Sequence, residues 1–133
     1  MILQRVVYEL FEWETDMADS FSRAAYVELF RQVRLEGPDG ERVFISWDWV
    51  KGKGDYFAAF AGGSFFTNVP NFEHDVSETP MWHSLVNKQV EPGYHNADPQ
   101  VVEVRSGEDV VYCCSWWMDR VYVMRTLLNP RQL

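Results

Sequence analysis

The pattern of apolar and polar positions predicts three consecutive β-strands in the last third of the chain. Gln100–Ser106, Asp109–Trp117 and Arg120–Leu127 combine period-two alternation with β-branched and aromatic residues. Gly107-Glu108 supplies the glycine that a two-residue hairpin turn favours, and Asp119-Arg120 is short enough to reverse the chain again. We therefore expect these strands to be antiparallel neighbours.

The middle strand of this group is apolar on both of its faces. Val111 and Cys113 alternate with Tyr112 and Cys114, and successive side chains of a strand point to opposite sides of the sheet. Such a strand is expected to be covered on both sides. The same pattern also supports an oligomerisation module, in which a second copy of the chain covers one face in a homodimer.

The first part of the chain predicts a strand, a short helix and a β-hairpin. Residues 2–14 alternate as a strand that lies near a sheet edge. The next segment shows both helical and strand spacing, so we expect a short helix over 17–25 and then a strand that ends at Glu36. The turn Gly37–Gly40 predicts a hairpin between that strand and residues 41–50.

The middle of the chain adds two strands and a long loop. Asp55–Ala61 and Ser64–Val69 are predicted strands, interrupted at Gly62-Gly63. The region from Pro70 to Pro99 has few periodic apolar positions, and we expect a surface excursion with one strand near Leu85–Val90. The fold class is therefore mainly β, with six to eight antiparallel strands in a curved sheet or partly closed barrel and a short N-terminal helix.

Length and composition favour one folded unit. The 133 residues predict a single domain, 1–133, and the hydrophobic content of 47% is far from that of a disordered chain. No segment approaches the roughly 18 to 20 apolar residues of a membrane span, and the first residues do not resemble a secretion signal. We expect a cytoplasmic protein.

The charge balance is acidic and unevenly distributed. Twelve basic residues against twenty acidic ones give a net charge of −8, which repels nucleic-acid backbones and anionic membrane surfaces. No Lys or Arg lies between Arg5 and Arg23, whereas five acidic residues do. This distribution favours a basic protein as the partner, with no nucleic acid and no membrane.

The cysteines and histidines do not form a recognisable chemical site. Cys113 and Cys114 are neighbours on a strand and point to opposite faces, so we expect reduced core residues and no disulfide. His74, His83 and His95 lack the spacing that places two ligands on one face of a helix or strand. We therefore expect no metal ion and no cofactor.

Six tryptophans are more than the interior of a small domain is expected to need. Those on predicted strands are expected mainly in the core, but Trp82 lies in the Pro-rich region, where acidic residues precede it. An aromatic anchor rimmed by charged residues is typical of an interface hot spot. The predicted partner-binding residues are Trp82, Met81, His83, Glu73, Asp75 and Glu78.

These features favour a small acidic protein-binding inhibitor of the immunity-protein or phage-inhibitor type. It would act without catalysis, by docking its aromatic-anchored acidic face on a basic toxin or nuclease. The alternative is a β-barrel that binds a small apolar or aromatic ligand, with weak enzymatic chemistry from Asp48 or His83. The predicted lining of that ligand pocket is Trp47, Trp49, Tyr112 and Trp116.

Overall fold

The computed structural model of the chain has two antiparallel β-sheets, each of five strands. It describes residues 1–22, 25–50, 55–66, 71–116 and 118–128. In chain order, the strands are β1 (Arg5–Leu10), β2 (Tyr26–Leu29), β3 (Gln32–Glu36), β4 (Arg42–Val50), β5 (Asp55–Ala61), β6 (Phe72–Asp75), β7 (Glu91–Tyr94), β8 (Val101–Ser106), β9 (Asp109–Cys114) and β10 (Val121–Met124). The first sheet has the order β5-β4-β3-β1-β6, and the second has the order β2-β10-β9-β8-β7.

Helical structure in the described residues consists of 3₁₀ segments. The longest, Glu12–Ser22, connects β1 with β2 and carries Glu12 and Glu14 in its first turn. Acidic side chains in the first turn of a helix interact favourably with the positive end of the backbone dipoles. The three shorter segments are Pro38–Gly40, His83–Leu85 and His95–Ala97. No helix in the described part of the chain has the length and apolarity to cross a membrane.

The mainly β, antiparallel fold class expected from the sequence is confirmed. The strands form two separate sheets, and neither sheet closes into a barrel within the described residues. More strands are present than the six to eight expected, because β6 and β7 have only four residues each and the predicted strand before Glu36 is in fact two strands. A strand of four residues gives alternation too little length to be recognised.

One hydrophobic core lies between the inner faces of the two sheets. Period-two alternation places every second side chain of a strand in this layer. From the first sheet it takes Val6, Tyr8, Leu10, Val33, Leu35, Ile45 and Ala58. From the second sheet it takes Val27, Leu29, Val102, Val104, Val111, Cys113, Val121 and Val123.

The chain passes from one sheet to the other between β2 and β3. β2 pairs with β10 in the second sheet, whereas β3 pairs with β4 in the first, and Phe30 and Arg31 lie at the crossing. The predicted continuous strand up to Glu36 is therefore wrong, although its hairpin with β4 is confirmed. The helical segment is also earlier than the expected 17–25, because the chain leaves β1 at Leu10 and turns at Glu12.

The three C-terminal strands agree with the sequence pattern. β9 pairs with β8 on one side and with β10 on the other, and Gly107 has a φ of +62° in the β8–β9 turn, a conformation that glycine adopts without strain. The outer face of β9 is covered as expected, by a second apolar cluster that includes Tyr122, Leu127 and Leu128. The expected strand residue Trp117 lies outside the described residues.

The Pro-rich region is not a surface excursion. Its largest apolar side chains belong to the core between the sheets, and they are Val76, Met81, Trp82, Leu85 and Val90. The strand expected near Leu85–Val90 is absent, since that part of the chain holds a 3₁₀ turn and an isolated bridge at Gln89. The predicted strand Ser64–Val69 is not formed at residues 64–66, and its remainder lies outside the described residues.

Candidate interaction surface

Trp82 is a core residue and not an exposed anchor. Its side chain is 0% exposed, and its indole Nε1–H donates a 2.8 Å hydrogen bond to the Tyr8 hydroxyl, which is equally buried. Met81 is buried beside it, whereas His83 is exposed. The prediction that Trp82 fills a partner's pocket is therefore wrong, because no partner could reach the ring without unfolding this part of the molecule.

Two of the predicted acidic contacts already have partners within the chain. Arg34 lies on the outer face of the first sheet, where its guanidinium Nη1 donates hydrogen bonds of 2.6 Å to both Glu73 and Glu9. Asp75 accepts a 2.7 Å bond from Arg5. The Arg34 bond lowers the pKa of the Glu73 carboxyl. Both carboxylates therefore already have an ion pair within the chain, and Glu78 alone of the three predicted acids is exposed without an ion pair among the described residues.

The four residues proposed to line a ligand pocket are not brought together. Trp47 contacts Tyr56 and Phe66, whereas Trp116 packs on Tyr122 in the outer cluster of the second sheet. Tyr112 contacts the ring of His95, and Trp49 is 48% exposed. None of the four residues lines the pockets of about 380 and about 390 Å³ that lie beside Met81 and beside Gly93 in the described surface.

A different group of aromatic side chains forms a continuous surface at one end of the first sheet. This aromatic end is the place where β1 and β4 end and where β3 and β5 begin. Its rings contact one another in series from Phe30 to Tyr56, with centroid separations between 4.5 and 6.3 Å. In the order of contact, its members are Phe30, Trp13, Phe11, Phe66, Trp47 and Tyr56.

Trp13 is the exposed member of the aromatic end. Its side chain is 57% exposed, the largest fraction among the exposed large hydrophobic residues of the described chain. It lies 4.5 Å from Phe30 in an edge-to-face contact and 6.3 Å from Phe11 in a nearly parallel one. Contacts of this geometry add to the energy of burial. The indole is therefore held in place by its neighbours while most of it faces solvent.

Glu14 fixes the two segments that carry these rings. Its carboxylate is 0% exposed and accepts backbone N–H bonds from Phe11 at 3.0 Å and from Phe30 at 2.9 Å. Burial raises the pKa of this carboxyl, while the two N–H bonds favour its charged form. Trp47 adds a third connection, since its Nε1–H donates a 3.0 Å bond to the Phe30 carbonyl. The backbone on both sides of Trp13 is thus tied to the sheet.

Two arginines of the chain itself lie over rings of the aromatic end. The Arg31 guanidinium is 5.6 Å from the centroid of Phe11 and 5.8 Å from that of Phe66. The Arg120 guanidinium is 4.4 Å from the centroid of Phe30. Both arrangements are cation–π contacts. The rings of this surface therefore already accept guanidinium groups.

Four exposed acids lie near the aromatic end among the residues that the structure describes. Glu12 and Asp16 are exposed on the 3₁₀ segment that carries Trp13, and Asp48 and Asp55 are exposed near the ends of β4 and β5. The region without Lys or Arg that the sequence shows after Arg5 therefore contributes acids to this surface. The sequence shows this uneven distribution of charge, but it does not identify Trp13 as an exposed side chain, because the predicted strand over residues 2–14 includes it.

The remaining candidate chemistry stays separate from this surface. The described residues hold no group of three or more His, Cys, Asp or Glu side chains arranged for a metal ion. Cys113 and Cys114 are buried and not joined by a disulfide, and burial raises the pKa of Cys113 to about 12. The outer apolar face that favoured a homodimer is covered by Leu127 and Leu128 of the same chain, which removes the observation behind that interpretation.

Comparison of the chain with protein-family models, with curated protein sequences and with solved structures finds no match. The functional argument therefore depends on the geometry and charge of the aromatic end.

Proposed function

We propose that the protein binds a basic partner protein through the aromatic end and inhibits it by covering its surface. The observation that carries this proposal is Trp13, a large side chain that is 57% exposed and yet fixed by ring contacts. A fixed ring loses little conformational freedom on binding, so more of its contact energy contributes to affinity. Tryptophan is also among the residues most enriched in interface hot spots.

Charge supports a basic partner. The chain has a net charge of −8, and four exposed acids lie near the aromatic end among the described residues. An acidic rim accelerates encounter with a basic surface and discriminates against acidic ones. The predicted contacts at Trp82, Glu73 and Asp75 are replaced in this proposal by Trp13 with Glu12 and Asp16.

The proposal is tested by affinity capture from the source cells with the wild-type protein and two variants. Trp13→Ala removes the exposed ring, and Ile2→Ala is the matched control, because Ile2 is 40% exposed and precedes the start of β1, at the opposite end of the first sheet. We expect a basic protein that binds the wild type and Ile2→Ala and whose activity both inhibit. Loss of one hot-spot tryptophan should weaken binding by about 2 kcal/mol or more, which is roughly thirtyfold.

Two results would refute the proposal. One is a captured protein that binds Trp13→Ala and the wild type equally, and the other is a captured protein with an acidic surface. Salt provides an independent criterion, since association that depends on the acidic rim must slow as ionic strength rises.

A further inference from the structure

We infer that the group recognised on the partner is an arginine side chain, which stacks on Trp13 and pairs with the carboxylate of Asp16. This inference rests on the proposed function and names the chemistry of its central contact. It is carried by three observations: the guanidinium contacts already present at the aromatic end, the spacing of Trp13 and Asp16, and the ion pairing of the nearby acids.

The aromatic end shows the expected contact twice within the chain. Arg31 lies over Phe11 and Phe66, and Arg120 lies over Phe30. Trp13 is the most exposed of the six rings and belongs to the residue type with the strongest cation–π attraction. Within the part of the chain that the structure describes, no cation lies over the Trp13 ring, so the indole can accept an arginine of the partner.

The spacing of residues in the 3₁₀ segment predicts a carboxylate on the same side of the segment as that ring. In a 3₁₀ helix, side chains three residues apart lie directly above one another, and Trp13 and Asp16 have this spacing within Glu12–Ser22. Both side chains are exposed. A π face with a carboxylate next to it is suited to a planar cation, which can stack and donate hydrogen bonds at the same time.

The two exposed acids next to Trp13 in this segment are not neutralised by cations of the described chain. Neither Glu12 nor Asp16 forms an ion pair with any part of the chain that the structure describes. Glu73 and Asp75 differ in this respect, because Arg34 and Arg5 already bind them. The two exposed acids nearest to Trp13 in the 3₁₀ segment are therefore available to a cation of the partner, whereas both acids of β6 already bind an arginine of the chain.

The preference for arginine over lysine follows from the shape of the two cations. A guanidinium is flat, weakly hydrated and able to stack on a ring while its edge donates to a carboxylate. An ammonium is compact and strongly hydrated, so it loses more hydration on contact with an indole. At equal charge, an arginine-rich surface should bind more tightly than a lysine-rich one.

The test compares fluorescein-labelled octa-arginine and octa-lysine peptides by fluorescence anisotropy on the intact protein. We expect octa-arginine to bind the wild type about tenfold more tightly than octa-lysine. Trp13→Ala and Trp13→Leu should both remove this preference, and Asp16→Asn should weaken octa-arginine binding by a few fold. Ile2→Ala should retain the preference, and circular dichroism identifies any variant that is not folded.

The outcomes separate this inference from the proposed function. If the two peptides bind equally but both still require Trp13, docking of a basic surface at the aromatic end stands and the arginine contact is refuted. If Trp13→Ala and Trp13→Leu fold and leave the binding of both peptides unchanged, the inference and the proposed function fail together. An arginine preference that persists in the folded Trp13 variants refutes the stacking contact.

Discussion

Replacing Trp82 by phenylalanine should destabilise the fold by about 2 to 4 kcal/mol, because the change removes a buried hydrogen bond and part of a core side chain. The indole Nε1–H is the donor to the Tyr8 hydroxyl at 2.8 Å, and both residues are 0% exposed. Loss of that donor leaves the phenolic oxygen buried without this partner, at a cost of about 1 to 3 kcal/mol. The smaller ring leaves a cavity that adds about 1 kcal/mol.

The hydrogen-bond contribution can be isolated with Tyr8→Phe. That change keeps the ring of Tyr8 and leaves the Trp82 N–H without its acceptor, so we expect a loss of about 1 to 3 kcal/mol. In the double variant, both polar groups are absent and neither remains unsatisfied. The double variant should therefore lose less stability than the two single changes added together, by about 1 kcal/mol or more.

The measurement is urea unfolding followed by far-UV circular dichroism, since fluorescence changes with each tryptophan that is replaced. The midpoint should fall while the slope with denaturant stays constant. If the free energy of unfolding of Trp82→Phe lies within about 0.5 kcal/mol of the wild-type value, the buried position of the indole is refuted. Strict additivity in the double variant would refute the hydrogen bond while leaving the burial intact.

Three other predictions concern buried or paired groups. Glu14→Gln should lower the free energy of unfolding in urea by about 1 to 2 kcal/mol. A glutamine has only one side-chain oxygen, so its N–H₂ group would face one of the two backbone N–H groups that the carboxylate binds. The hydrogen bond from Arg34 lowers the pKa of Glu73. The stabilisation that this bond gives is therefore complete above the usual carboxyl pKa of 4.5 and is lost as the pH falls through the lowered pKa. Glu73→Gln should accordingly flatten the dependence of the melting temperature on pH in the acid range. Cys113 and Cys114 should not react with a thiol reagent such as Ellman's until the protein unfolds, and rapid labelling of the native protein would contradict their burial.

The parts of the fold that were predictable have local causes. β8, β9 and β10 follow one another through short turns, and β3 and β4 are joined by the turn at Pro38–Gly40, so alternation and turn residues suffice to identify them. Pairings of this kind need no information from distant parts of the chain.

The parts that were missed depend on contacts between distant segments. β6 pairs with β1, more than sixty positions away in sequence, and has only four residues. Trp82 lies in a Pro-rich segment that resembles a loop, yet it is a core residue, because its indole donates a hydrogen bond to Tyr8 and packs among the core side chains of both sheets. Local pattern gives no sign of such burial, since propensity is a weak guide when tertiary contacts decide.

Part of the interaction surface could have been predicted from the sequence. The acidic first turn of Glu12–Ser22 is a signal for a helical start, and it could have shown that the strand stops before Trp13. The exposure of that ring could not have been predicted, because it depends on where Phe30 lies after the chain has crossed between the sheets.

The pairing of β2 with β10 has a consequence for synthesis of the protein on the ribosome. β2 ends at Leu29, but its partner strand is complete only when Met124 has been made. The second sheet therefore cannot be completed until Met124 has been translated, and until then the backbone of β2 has no partner strand. Contacts that join such distant positions slow folding, so nascent chains stalled before Val121 should be the most dependent on chaperones.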